Sequence, residues 1–196
     1  MSAKSAEANP PSSKRDQLMT TAWNLFYRDG FRAVGIDTLL AAAGVAKMTL
    51  YNHFPSKDDL IIAVLERRSD GLVAAVDAAI AAAGRTPSRQ LAAVFDGLKA
   101  WFSADEFKGC AFIRALSEYP DPTHPIHQAA WRHKRAMNAR IRAIAEAADA
   151  RQPAALADTI SLLIDGAIIA AHATSTNAPA DSARAAALNL LKLATA

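Results

Sequence analysis

Residues 30–60 carry the most informative pattern of the chain, and they read GFRAVGIDTLLAAAGVAKMTLYNHFPSKDDL. Apolar residues recur at helical spacing over 36–43 and again over the short segment 46–54. Gly44 separates these segments at a turn whose backbone other residues adopt only with strain. Pro55 ends the second segment, because the residue before a proline is pushed out of the helical region. Two short helices joined by a tight turn that contains glycine predict a helix-turn-helix.

The second of these helices is apolar on one side and polar on the other. Leu50 and Phe54 lie four residues apart, so they point inward together. A short helix with a hydrogen-bonding outer face suits the major groove of DNA. The candidate DNA contacts are Lys47, Thr49, Tyr51, Asn52 and His53. Two alternatives stay open, a core position for the Tyr51 ring and structural packing for His53.

The rest of the chain favours helices over sheet. Of the 196 residues, 47 are alanine, whereas only 9 are proline and 8 are glycine. This composition is typical of close-packed helices. Ser56 opens a sequence like a capping box, before a helix that can run unbroken to residue 83. We therefore expect an all-α fold of about nine helices, of which the first three are short, and a disordered polar tail over 1–13.

Residues 14–65 resemble the DNA-binding domain of the TetR family of transcriptional regulators. The matching residues are Phe26, Gly30, Ile36, Leu39, Ala43-Gly44-Val45, Thr49-Leu50-Tyr51, His53-Phe54 and Ser56-Lys57-Asp58-Asp59-Leu60. The combination of Ala-Gly-Val, Leu-Tyr-x-His-Phe and Ser-Lys is specific, whereas a bare helix-turn-helix pattern is not. The later helices are similar to the family only in number and length.

The resemblance implies a homodimer whose subunits each have two domains. Residues 14–60 would form the helix-turn-helix DNA-binding domain, and residues 61–196 a helical domain that dimerises and holds a small-molecule ligand. Typical members bind a palindromic operator in double-stranded DNA, repress transcription, and leave the operator when the ligand binds. An activator, or a regulator controlled by a protein partner without a small-molecule effector, is the alternative.

The resemblance also assigns roles at the ends of two helices. Lys57 matches a common phosphate contact, so it joins the candidate DNA-binding residues. Family members often have a hydroxyl residue that caps the second helix where this chain has Gly35. We therefore expect Asp37 or Thr38 to cap that helix instead.

The middle helices carry most of the large aromatic side chains. Core packing explains most residues of this kind, but in this family the central helices enclose a pocket. Large aromatic walls would suit a small apolar or aromatic ligand. The candidate pocket residues are Trp101, Phe102, Phe112, Tyr119, Trp131 and Met137.

The last two helices carry a broad apolar stripe with small residues around Gly166. Its members are Leu156, Ile160, Leu163, Ile164, Ala167, Ile168, Ala171, Leu188 and Leu191. This stripe could be intrachain core alone. Two such helices at the end of the chain also fit a four-helix interface between two subunits, and we expect the homodimer to form there.

Net charge and cysteine content limit the classes of protein to which the chain can belong. The net charge of +3 permits nucleic-acid binding without requiring it. The basic run RHKRAMNARIR over 132–142 is expected to be a solvated helix face with an apolar back. Cys110 is the single cysteine, which excludes an intrachain disulfide framework. Because its neighbours are apolar, we expect it to be a small buried residue.

No catalytic constellation is present in the sequence. We find no pairing of nucleophile and base, no phosphate loop and no metal set, so neither an enzyme nor a cofactor is expected. His124 and His127 have helical spacing but no nearby carboxylate cluster, so we expect no metal there. The sequence has no signal-peptide pattern and no uncharged apolar run of about 18 residues. We therefore expect a cytoplasmic protein without a membrane span.

Overall fold

The computed structural model describes residues 13–196, of which 78% are helical and none form a strand. The expected all-α fold is therefore confirmed for this range. The expected disordered tail lies outside the described residues, except for Ser13. The helices of the described range are α1 (Lys14–Asp29), α2 (Ile36–Ala43), α3 (Lys47–His53), α4 (Lys57–Ala82), α5 (Pro87–Phe102), α6 (Ala111–Glu118), α7 (Pro125–Ala147), α8 (Pro153–Thr174) and α9 (Ala178–Ala194).

The chain divides into two compact units between Val64 and Leu65. The first unit holds α1, α2, α3 and the start of α4. Ser13 caps α1, where its hydroxyl oxygen accepts the Asp16 N–H at 3.2 Å. The core of this unit consists of apolar side chains that are almost fully buried, including Leu18, Phe26, Phe31, Leu39, Leu50 and Leu60.

The turn between α2 and α3 has the backbone that the sequence predicts. Gly44 lies in the left-handed region, with φ 61° and ψ 38°, and its N–H donates to the Leu40 carbonyl. A side chain there would strain the backbone without meeting any neighbour, since nothing lies within 4 Å of an ideal Cβ. The Gln17 amide donates to the Ala43 carbonyl at 2.9 Å, which ties the turn to α1.

The start of α2 differs from the expected arrangement. Gly35 occupies the N-cap position in extended backbone and offers no side-chain cap. Asp37 and Thr38 lie inside the first turn of the helix, so the expectation that one of them caps it was wrong. Asp37 instead places a negative charge near the positive end of the helix dipole.

The second unit consists of the remainder of α4 and helices α5 to α9. Helix α8 packs against α7 and α9, and α5 packs against α9. Proline at the first turn starts α5, α7 and α8, where its missing N–H breaks no helical hydrogen bond. The core between these helices includes Leu91, Phe95, Ile141, Ile144, Ile160 and Ile168.

Helix α8 is the one described helix that is long and apolar enough to cross a membrane by length and composition. It also contributes six buried residues to the core of the second unit: Leu156, Ala157, Ile160, Ala167, Ile168 and Ala171. A core helix of a soluble protein passes the same length and composition test. Its apolar character is therefore weak support for a span.

Candidate nucleic-acid interface and ligand cavity

Helix α3 separates inward from outward side chains as its sequence predicts. Leu50 and Phe54 are buried, and the Phe54 N–H donates to the Leu50 carbonyl at 2.9 Å. Lys47, Asn52 and His53 are exposed, and Thr49 is half-buried. Tyr51 is 38% exposed, so the alternative of a core position for its ring is excluded.

Met48 is a surface residue of α3 that the sequence reasoning missed. It is 71% exposed, although methionine side chains are usually buried. Its position could have revealed this exposure. It precedes the buried Leu50 by two residues, which at 100° per residue places it on the opposite side of the helix. The outer surface of α3 therefore has an apolar member among its polar ones.

Contacts of the Phe54 ring hold the C-terminal end of α3 in place. The Arg15 guanidinium lies 5.0 Å from the centre of this ring, a distance at which cation and ring attract each other. The His53 ring lies 6.5 Å from the Phe54 ring, tilted by 58°. Because His53 is exposed as well, this single ring contact leaves its outer edge open to solvent.

Lys57 begins α4 directly after a confirmed side-chain cap. The Ser56 hydroxyl accepts the Asp59 N–H at 3.1 Å and donates to the Asp59 carboxylate at 2.7 Å. The Lys57 ammonium donates to the Arg32 carbonyl at 3.3 Å. This contact holds the ammonium beside the connection between α1 and α2.

The second unit contains a cavity of about 210 Å³ between α4, α5, α7 and α8. Its wall is largely apolar and includes Leu72, Val76, Leu98, Trp101, Met137 and Ile164. Cys110, His133, Lys134 and Ser161 supply its polar groups. Such a wall, apolar with a few polar groups, is typical of small-molecule sites.

His133 is buried and uncharged in this wall. Its Nδ1 lies 3.0 Å from the Ser69 hydroxyl, and its ring stacks on Phe112 with centres 3.6 Å apart. Burial lowers the pKa of His133 to about 3, and the neighbouring cations Lys134 and Arg68 act in the same direction. The imidazole is therefore neutral near neutral pH.

Among the described residues that line the cavity, Lys134 is the one that carries a charge. Its ammonium is ion-paired with Asp165, and the two side chains are 14% and 29% exposed. Cys110 also borders the cavity, and burial raises the pKa of its thiol. The cavity therefore presents a paired cation, a neutral imidazole and a neutral thiol.

Comparison with known proteins identifies this architecture. Residues 18–64 match the family described as bacterial regulatory proteins of the tetR family. Residues 87–187 match the tetracyclin repressor-like C-terminal domain. The chain belongs to the TetR family. Members of this family are transcriptional regulators that bind DNA and are not enzymes. The family assignment therefore confirms the expectation of a TetR-family regulator and the expectation that the protein is not an enzyme.

Individual relatives agree with this assignment. The crystal structure of SCO4454, a TetR-family transcriptional regulator from Streptomyces coelicolor, superposes with a TM-score of 0.89 at 32% identity, covering 95% of this chain and 92% of that one. The transcriptional activator FasR of Mycolicibacterium smegmatis is 40% identical over 85 residues, which are 43% of this chain and 39% of FasR. The transcriptional repressor ComR of Escherichia coli is 31% identical over 111 residues, which are 56% of this chain and 53% of ComR. The chain thus matches about half or less of these two curated relatives.

Two of the six candidate pocket residues line the cavity of this TetR-family chain. Trp101 and Met137 line it. Phe102 lies at a separate open depression beside Phe107, whose ring is 5.1 Å away. Periodicity alone placed all six on helices but could not show which helix face the cavity occupies.

The three other candidates lie elsewhere for identifiable reasons. Phe112 is buried beneath the His133 ring. Tyr119 is buried beside His124, with ring centres 4.8 Å apart. Trp131 is an exposed residue of α7. None of the three lines the cavity.

The basic run 132–142 is balanced by carboxylates. Lys134 is paired with Asp165, and three arginines of the run pair with carboxylates as well. The distances from guanidinium nitrogen to carboxylate oxygen are 2.8 Å for Arg132–Glu66, 2.9 Å for Arg140–Asp77 and 2.8 Å for Arg142–Glu146. The Arg140 contact lowers the pKa of Asp77. These pairs neutralise most of the run, in agreement with a solvated helix face.

The two histidines considered as metal ligands make ordinary structural contacts. His124 caps α7, where its Nδ1 accepts the Ile126 N–H at 3.2 Å. The Nδ1 of His127 lies 2.7 Å from the Tyr119 carbonyl. Each ring therefore has a role in holding the start of α7.

Proposed function

We propose that this chain is a homodimeric cytoplasmic repressor that binds a palindromic operator and leaves it when a small apolar or aromatic ligand enters the cavity. The outer surface of α3 carries this proposal. It presents exposed polar side chains and one exposed methionine on a helix whose opposite side is anchored by Leu50 and Phe54. This is the form of helix that enters a major groove.

The proposed contacts with DNA follow from position and side-chain chemistry. Lys47, Thr49, Tyr51, Asn52 and His53 contact base edges or phosphates from the outer surface of α3. Lys57 contacts a phosphate, since its ammonium is held at the start of α4. Two copies of α3 related by a two-fold axis would bind half-sites about 34–36 Å apart, which is why a palindrome is expected.

The proposed dimer forms through α8 and α9, but not through the stripe that the sequence suggested. Leu156, Ile160 and Ile168 of that stripe are buried within the chain. The surface that is open to a partner lies elsewhere on α8, where Leu162 is 73% and Ile169 is 58% exposed. These two residues lie seven apart on one helix face, and exposed large apolar side chains grouped in this way favour association.

A charge placed on this surface tests the dimer. We expect Ile169→Lys to shift the protein from dimer to monomer in light scattering, because a two-fold interface would bring two lysines together. Trp131→Lys is the matched control, since Trp131 is an exposed aromatic residue of α7. A dimer that tolerates Ile169→Lys while Trp131→Lys dissociates it would place the interface on α7 instead.

The experiment for the function begins by selecting bound sequences from random DNA. The selected site is then placed in a promoter, and transcription is measured in vitro with and without the protein. A repressor lowers the transcript, and Tyr51→Ala restores it. Selection of no sequence at all would contradict the DNA-reading role of α3.

Activation is the second candidate function, and the relative FasR favours it because that protein is a transcriptional activator. The same transcription assay distinguishes the two, since an activator raises the transcript from the selected promoter.

A regulator without a small-molecule effector would bind the operator with an affinity that no cavity ligand changes. Coupling is reciprocal, so an inducing ligand must bind the operator complex more weakly than the free protein by the same factor.

A further inference from the structure

The charge of the cavity wall limits what can bind there. Within residues 13–196, Lys134 is the one charged residue that lines it, and the paired Asp165 is not a lining residue. A cationic ligand would face the Lys134 ammonium in a wall that offers it no carboxylate. An anionic ligand would leave a net negative charge on a largely buried site, because Lys134 and Asp165 already cancel each other.

The polar groups of the wall favour a hydrogen-bond acceptor. A lysine ammonium has three N–H donors, of which the Asp165 carboxylate takes one. Ser161 already accepts the Asn138 amide at 3.0 Å, so its oxygen is engaged within the protein. Lys134 is therefore the strongest donor available to a ligand, since hydrogen bonds from charged donors are stronger than those from neutral ones.

The volume limits the size of the ligand. The cavity holds about 210 Å³. An apolar cavity of about 150 Å³ accommodates benzene, and sites for drug-sized ligands begin at about 300 Å³. One six-membered ring with a short substituent fits between these limits.

We propose that the cavity binds an uncharged ligand of one ring with a carbonyl oxygen, and that this oxygen accepts a hydrogen bond from Lys134. The inference rests on the proposed function, because it takes this cavity as the effector site. Lys134 is then the residue that distinguishes ligands by polarity, and Trp101 and Met137 provide apolar surface for the ring.

Four one-ring compounds of similar size test the inference on the full chain by calorimetry and thermal shift. Acetophenone has the carbonyl, ethylbenzene lacks it, benzoate is anionic and benzylamine is cationic. We expect the affinity for acetophenone to exceed that for ethylbenzene by a factor of about ten or more. This ratio of affinities is typical of a hydrogen bond to a charged group. The two charged compounds should bind more weakly than acetophenone. Equal affinity for acetophenone and ethylbenzene, preference for a charged compound, or no binding would each overturn the inference.

Paired substitutions assign the preference to Lys134. The double variant Lys134→Met/Asp165→Leu removes both charges together, so neither is left unpaired, and should reduce the ratio of affinities to about one. The control Lys99→Met/Asp181→Leu removes an exposed pair, 2.7 Å apart, that does not line the cavity. It should leave the ratio unchanged. A ratio that survives the Lys134 variant in a folded protein overturns the role of this lysine.

Measurement of operator binding by the same preparations separates this inference from the proposed function. If the protein binds its operator but none of the four compounds, the ligand inference fails and the DNA-reading role stands. If acetophenone binds with the expected preference but leaves operator affinity unchanged, the ligand inference stands and ligand-triggered release fails.

Discussion

The outer surface of α3 and the wall of the cavity place their cations in opposite environments. Lys47 on α3 is exposed to water, whereas Lys134 in the cavity wall is largely buried and paired with Asp165. An exposed cation can bind a phosphate and release counterions, so its contribution depends on salt. A buried, paired cation is little affected by salt. The two regions should therefore respond differently to substitution, pH and ionic strength.

The largest effect is expected where α3 is anchored. Leu50→Ala removes a fully buried side chain and should lower the free energy of unfolding by about 2–5 kcal/mol, because a cavity replaces the lost packing. Denaturant unfolding of the full chain measures this change. Operator binding should fall with it, since α3 loses its fixed orientation. A change below about 1 kcal/mol would mean that α3 is not anchored through Leu50.

The adjacent residue should behave in the opposite way. Tyr51→Ala changes an exposed side chain, so the free energy of unfolding should change by only about 0.5 kcal/mol or less. Affinity for the selected operator should fall by about 1–3 kcal/mol, measured by fluorescence anisotropy. Leu50→Ala is the natural comparison, because it lowers both quantities. Loss of stability in Tyr51→Ala would mean that the exposed ring contributes to the stability of the folded chain as well as to DNA binding.

The free energy of unfolding should depend on pH through His133 in the cavity wall. His133 has a pKa of about 3 in the folded chain, below its ordinary value of 6.5, so the unfolded chain binds the additional proton between these values. The contribution of His133 to stability is therefore complete above pH 6.5 and decreases as the pH falls toward 3, with a slope of up to about 1.4 kcal/mol per pH unit.

His133→Gln tests this dependence, since glutamine retains hydrogen-bonding groups for Ser69 but does not titrate in this range. Denaturant unfolding at several pH values between 6.5 and 4 should give a smaller slope for the variant than for the parent protein. Equal slopes for His133→Gln and the parent protein would mean that the folded chain accepts the proton on His133.

The two regions also differ in how far their structure followed from the sequence. In the first unit, Gly44, Leu50 and Phe54 fixed the turn and the orientation of α3, because each is tied to a local backbone or packing requirement. Met48 was missed because only the polar residues of α3 were considered for its outer surface. In the second unit, prolines mark the starts of α5, α7 and α8, but Phe112 and Trp131 did not face the cavity. Which of several apolar faces meets a cavity depends on contacts between helices distant in sequence, which periodicity does not contain.

A smaller effect is expected from the phosphate contact proposed for Lys57. Lys57→Ala should weaken binding to the operator and to unrelated DNA by similar factors, and should reduce the slope of log affinity against log salt by about one. Lys57→Arg retains the charge and should retain the slope. The cavity variant Lys134→Met/Asp165→Leu should also retain it, because that pair contacts no phosphate. A slope that is unchanged in Lys57→Ala would remove this residue from the interface.

The smallest effect separates the apolar member of the α3 surface from its polar neighbours. Met48 is 71% exposed in the free protein, and an apolar side chain in a major groove can pack against the methyl group of thymine. Replacing single thymines of the selected operator by uracil removes that methyl group and leaves every hydrogen-bonding edge in place. One position should lose about fourfold in affinity, which corresponds to one buried methyl group. Met48→Ala should bind the thymine and uracil versions equally, whereas Met48→Leu should keep part of the difference. If the parent protein tolerates uracil at every position, Met48 lies outside the base-reading surface and the polar side chains of α3 read the operator without it.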